Sequence, residues 1–102
     1  RPRPMANPAG SFLRDASNRL CFEMFDVDSM DYPAFAARVV ARFDLIPAGD
    51  LIAGLDEVFR DYTDGNCTVG LEWDNWSGFI VTAKSPNAEP LVTSIGEFLS
   101  ES

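Results

Sequence analysis

Residues 71–81 read Leu-Glu-Trp-Asp-Asn-Trp-Ser-Gly-Phe-Ile-Val, and this stretch holds both tryptophans of the chain. Two apolar-alternating runs meet at a polar Asp-Asn-Trp-Ser-Gly turn, the pattern of a β-hairpin. The alternation predicts strands over residues 67–73 and 78–83. Cys67, Val69, Leu71 and Trp73 share one side of the first strand, with Thr68, Gly70 and Glu72 on the other. In the second, Phe79, Val81 and Ala83 are divided from Ile80, Thr82 and Lys84. An isolated two-stranded hairpin is marginal in water, so a further strand has to pair with one of its edges.

The candidate for that strand lies between Asn18 and Val27, where Leu20, Phe22 and Met24 alternate with Cys21, Glu23 and Phe25. Upstream, Phe12, Leu13 and Ala16 are compatible with the start of a helix. Pro33 suits the first turn of a helix capped by Asp31 or Tyr32, and Phe35, Ala36, Val39, Val40 and Phe43 recur at helical spacing up to Pro47. A second helix is predicted from Gly49-Asp50. It turns Leu51, Ile52, Leu55, Val58, Phe59 and Tyr62 inward, shows Asp56, Glu57, Arg60 and Asp61 to solvent, and stops at Gly65. Ser85-Pro86-Asn87 introduces a last helix with Leu91, Val92, Ile95, Phe98 and Leu99 on its inner face. The expected fold is therefore α+β, in the order β-α-α-β-β-α, with about three helices covering a small antiparallel sheet.

A chain of 102 residues, 46% hydrophobic and 12% aromatic, supports one domain with its own core. That domain is expected over residues 11–102. Residues 1–10, with three prolines and a glycine, read as a flexible arm, and residues 1–4 as a remnant ahead of Met5 or the start of a processed chain. No apolar run has the length of a membrane span and no hydrophobic leader core is present, so neither a membrane nor a secretory destination is expected. Cys21 and Cys67 are isolated, each with apolar neighbours. Two thiols in a reducing, cytoplasmic compartment is the favoured reading, and a single disulfide is the alternative if their strands lie side by side.

Charge and residue types narrow the chemistry. The chain carries sixteen acids and eight bases, a net charge of −8. The imbalance lies in the C-terminal part, where residues 44–102 hold eleven acids against Arg60 and Lys84. Such a surface lacks the basic footprint of a nucleic-acid binder and favours a basic partner protein. Histidine is absent, which removes the commonest general base and leaves too few soft ligands for zinc. Asp26, Asp28 and Asp31 do not fit a calcium loop, because Met30, Asp31 and Ala37 stand where an oxygen ligand, a glycine and a glutamate are needed. They read instead as loop and cap residues. Ser77 lacks a nucleophile-elbow context, and no phosphate-cradling glycine pattern occurs, so no cofactor is expected.

The candidate partner-binding residues form two groups. At the hairpin tip Trp76 either folds back over the sheet edge or is a desolvating anchor, with Asp74 and Asn75 as polar contacts and Glu72 as a nearby charge. Asp56, Glu57, Asp61 and Asp64 make an acidic ridge along and beyond the predicted second helix, which reads first as a solvated helix face and alternatively as a surface for a basic patch. Negative charge at the C-terminal end of a helix opposes the macrodipole, an arrangement that stability alone does not favour. Residues 66–99 resemble small acidic bacterial proteins of the immunity type, which neutralise a partner toxin. The likeness is carried by Leu71-Glu-Trp-Asp-Asn-Trp-Ser-Gly-Phe, Ala83-Lys-Ser and Ala88-Glu-Pro-Leu-Val. It implies a non-catalytic inhibitor of a basic partner. Two other classes compete: a homo-oligomeric accessory subunit meeting its own copy through Trp76 and a strand edge, and a small-ligand protein or carboxylate hydrolase built around Glu72, Asp74, Tyr62 and the tryptophans.

Overall fold

The structure, a computed structural model, describes residues 10–101. All but Gly10 of the expected N-terminal arm lies outside the described residues. The elements run β1 (Ser11–Arg14), β2 (Leu20–Met24), a 3-10 turn (Ser29–Asp31), α1 (Tyr32–Phe43), β3 (Ile46–Pro47), β4 (Ile52–Ala53), β5 (Glu57–Thr63), β6 (Thr68–Asp74), β7 (Gly78–Ala83) and α2 (Glu89–Glu101). The strands form one antiparallel seven-stranded sheet in the order β1-β2-β7-β6-β5-β3, with β4 also paired to β5.

The predicted hairpin is β6–β7, and the predicted first strand is β2, paired to β7 with Phe22 opposite Val81. The expectation of three helices over a small sheet is wrong. Among the described residues there are two helices, and the segment read as the second helix is strand. Leu51, Leu55, Val58 and Tyr62 fall at helical spacing by coincidence. Glu57-Val-Phe-Arg-Asp-Tyr-Thr63 is rich in β-branched and aromatic residues, and Gly54 interrupts any helix there. Along β5, Val58, Arg60 and Tyr62 face one way and Glu57, Phe59 and Asp61 the other, in register with Trp73, Leu71 and Val69 and with Asp74, Glu72 and Gly70 of β6. Gly65, expected as a helix stop, instead sits at φ 97° in the β5–β6 turn. Asp61 and Asp64 accordingly stand at a strand and its turn, where no helix macrodipole acts on them.

Sequence reasoning also missed β1. The chain from Phe12 to Ala16 enters a hairpin whose turn is built on Asp15, whose Oδ1 accepts from the Ser17 and Arg19 amides, both at 2.9 Å. Asn18 takes φ 62° to close it, a conformation asparagine tolerates better than most residues.

Both helices pack on one face of the sheet. Phe22, Met24, Val69, Leu71, Phe79 and Val81 point toward them and, with Val39, Val92, Ile95 and Leu99, are buried in one core. Burial of each large side chain is worth roughly 1.5–3 kcal/mol. Two hydrogen bonds lock the loop after β2 and the start of α1 to β6. Trp73 Nε1 donates to the Val27 carbonyl at 2.8 Å, and the Tyr32 hydroxyl donates to the Leu71 carbonyl at 2.6 Å. The 3-10 turn runs straight into α1, so Asp31 flanks the helix in a helical conformation without a side-chain cap bond. At the other end Asp44 adopts φ 56° and closes the helix, two residues before the β3 strand that holds Pro47.

Cys21 belongs to β2 and points to the face away from the helices, whereas Cys67 is part of the helix-side core. Strand β7 lies between their strands, a separation of about 10 Å, too wide for a disulfide. Both thiols are free and buried, and burial pushes both pKa values up. No helix among the described residues is long and apolar enough to cross a membrane.

Candidate functional site

The sheet face opposite the helices carries no helix among the described residues, and its central side chains Cys21, Ile80 and Thr82 are nonetheless buried. Strand register assigns its side chains in rows. One row runs Ser11, Glu23, Ile80, Glu72, Phe59 and Ile52, and the next runs Leu13, Cys21, Thr82, Gly70 and Asp61. The last pair toward the turns is Asp74 and Glu57, directly opposite each other. Five carboxylates (Glu23, Glu57, Asp61, Glu72 and Asp74) therefore share this face. Lys84 is the cation among them, reaching across Gly70 to Glu72 at 3.0 Å. Glu72 also lies 3.5 Å from the Thr82 hydroxyl. Like charges opposed across strands destabilise each other, and the crowding is visible at Glu23. Its pKa is raised by burial and secondarily by the charge on Asp74.

Three turns meet at one end of this face. Trp76 lies in the β6–β7 turn, where Asp74 Oδ1 accepts from the Trp76 amide at 2.9 Å and the Ser77 amide at 2.6 Å. The Asn75 amide donates to the Asp56 carbonyl at 3.0 Å, which ties this turn to the one carrying Leu55. On the other side the Gly78 backbone abuts Phe25. The result is a rim on which Phe25, Leu55 and Trp76 stand 66%, 101% and 78% exposed. Asp26, Asp56, Glu57 and Asp74 surround these apolar groups, and no lysine or arginine occurs in the three turns.

Of the residues singled out from sequence, the fold thus brings Asp56, Glu57, Asp74, Asn75 and Trp76 together. Glu72 and Asp61 lie on the same face, further from the rim. Asp64 does not belong to the group. It sits in the opposite turn, beyond the seven-residue strand β5 and about 20 Å away. There its Oδ1 accepts from the Asn66 and Cys67 amides at 2.8 and 3.0 Å, bonds that pull its pKa down. Glu23, Phe25 and Leu55 were missed. Phe25 carried a signal, as a large apolar residue on the same side as Glu23 in the β2 alternation.

No known protein family, characterised protein or solved structure matches this chain.

The geometry of the site also separates the groups of the third functional class. Tyr62 and Trp73 face the helices, whereas Glu72 and Asp74 face away from them, so the four do not converge on one pocket. Both carboxylates are engaged, Glu72 with Lys84 and Asp74 with its turn.

Proposed function

We propose that this chain is a protein-binding module whose helix-free acidic face and apolar rim take a basic partner protein, in the manner of an immunity-type inhibitor. The observation that supports it is the meeting of Trp76, Leu55 and Phe25 with Asp56, Glu57 and Asp74 at one end of that acidic sheet face. Exposed apolar groups ringed by charge are the anatomy of an interface with anchors at its centre and polar groups at its edge. The carboxylates speed encounter with a cationic surface, and the apolar groups hold the complex once formed. Free thiols fit a reducing compartment, and we assign the protein to the cytoplasm on that ground.

The test is affinity capture from source-cell lysate with the wild type, Trp76→Ala and Glu57→Lys, at low salt and at about 0.5 M. A basic protein retained by the wild type is expected to be lost at high salt, where the Debye length shrinks to a few ångström. Trp76→Ala should weaken that complex by about 2 kcal/mol, chiefly through the off-rate. Glu57→Lys should slow association. Retention that ignores salt and both substitutions would overturn the reading. A second reading is favoured by the end of the sheet at β1, whose outer edge has no strand partner among the described residues. Pairing of two copies there would appear as capture of the bait alone, with a dimer mass by sedimentation.

A further inference from the structure

The helix side of the molecule contains a cleft of about 460 Å³ between the start of α1 and the edge made by β4 and β5. Ala36 and Ala37 on one wall and Ala53 on the other leave the space, and Leu51 and Val58 complete an apolar lining. Its electrostatics invert those of the molecule. In a chain of net charge −8, among the described residues no carboxylate lines this cleft and one guanidinium, Arg60, does.

Arg60 Nε donates to the Gly49 carbonyl at 2.8 Å, which holds the head at the rim this cleft shares with a second pocket that is lined by Gly49, Asp50, Asp61 and Lys84. Neither Nη group has a protein acceptor among the described residues, and no carboxylate lies within ion-pair distance. The guanidinium carbon stands 5.9 Å from the ring centre of Tyr62, a buried tyrosine whose hydroxyl also has no protein partner among the described residues. The Tyr32 hydroxyl, by contrast, is committed to Leu71. A half-buried guanidinium with its fork unfilled, beside a phenol and an apolar cavity, suits one planar anion on an apolar body. The volume lies within the range of small-molecule sites.

We infer that this cleft binds a small apolar monocarboxylate. Its carboxylate takes the Arg60 Nη groups and the Tyr62 hydroxyl, and its hydrocarbon lies against the alanines. A cationic ligand would meet Arg60 unscreened, and a neutral one would leave the guanidinium fork empty. The cleft opens on the opposite side of the sheet from the acidic face, so either proposal can fail without the other.

Decanoate is the probe, with decan-1-ol as the uncharged control and a short peptide ending in a free-carboxylate phenylalanine as the competitor class. Titration followed by amide NMR should move the resonances of Ala37, Ala53, Val58 and Tyr62 on decanoate addition. Arg60→Gln should weaken decanoate at least about tenfold, the scale of a charge-assisted pair, and leave decanol unchanged. Ala37→Leu, an exposed helical site where leucine folds well, should fill the cleft and abolish decanoate binding. Unmoved lining resonances, equal binding of decanol and decanoate, or wild-type affinity in either folded variant would overturn the inference. So would binding of the peptide alone, which would assign the cleft to protein C-termini.

Discussion

Glu23 is the residue at which the proposed function and the stability of the fold pull in opposite directions. Its carboxyl holds its proton to higher pH in the folded chain than in the unfolded one, because burial and then Asp74 oppose its ionisation. Below the ordinary glutamate range both states are protonated and the residue is neutral in its effect. As pH rises through the unfolded and then the folded value, ionisation favours the unfolded chain, and above both the penalty is complete. Glu23→Gln is therefore expected to raise the melting temperature at pH 7 and to leave it unchanged at pH 3, measured by thermal unfolding at the two pH values. The same substitution removes one charge from the acidic face, so it should also slow association with a basic partner. Trp76 and Trp73 make the complementary point. Alternation alone placed Trp73 on the core side, where its indole bonds to Val27. No local pattern decided whether Trp76 packs or projects; that depended on which strands lie beside its turn.

Among the elements, the β6–β7 hairpin was the most legible because its information is local. Alternation set the register and Asp-Asn-Trp-Ser-Gly set the turn. Gly78 is the tightest point in that turn, with φ 74° and a position where an added Cβ would lie 2.2 Å from the Met24 carbonyl oxygen. Gly78→Ala would combine left-handed strain with a backbone clash against β2. It is expected to cost at least about 2 kcal/mol by denaturant titration, and to loosen the rim on which Trp76 and Phe25 stand. Strand β5 was illegible for the opposite reason. Its apolar residues satisfy both a 3.6 and a 2.0 period over a short window, so periodicity does not separate them; the β-branched and aromatic content and Gly54 lean toward strand, and pairing with β6 decides it. With β5 misread, Asp56 and Glu57 were placed on a helix flank rather than in the turn beside Asn75 and at the strand start opposite Asp74.

At the scale of the whole molecule, a one-sided sheet explains the division of labour. Two helices satisfy one face, and the other is left to carboxylates, Lys84 and a few apolar side chains. The same layering keeps the two cysteines apart, on opposite faces with β7 between their strands. Both thiols are accordingly expected to resist a thiol-reactive dye in the native protein and to react together on unfolding. Oxidation of the native protein should yield no intramolecular disulfide, as read by mass under non-reducing conditions. Composition and periodicity by themselves determined a histidine-free, acidic chain, two of the three expected helices and a tryptophan-bearing hairpin, because each is a property of residue type or near-neighbour spacing. Tertiary structure alone decided that residues 57–63 are strand, that Asp64 stands apart from Asp56 and Glu57, and that Phe25, Leu55 and Trp76 share a rim. It likewise placed Arg60, with no ion-pair partner among the described residues, at an apolar cleft. These depend on strand neighbours far apart in the chain, and periodicity within one segment carries no record of them.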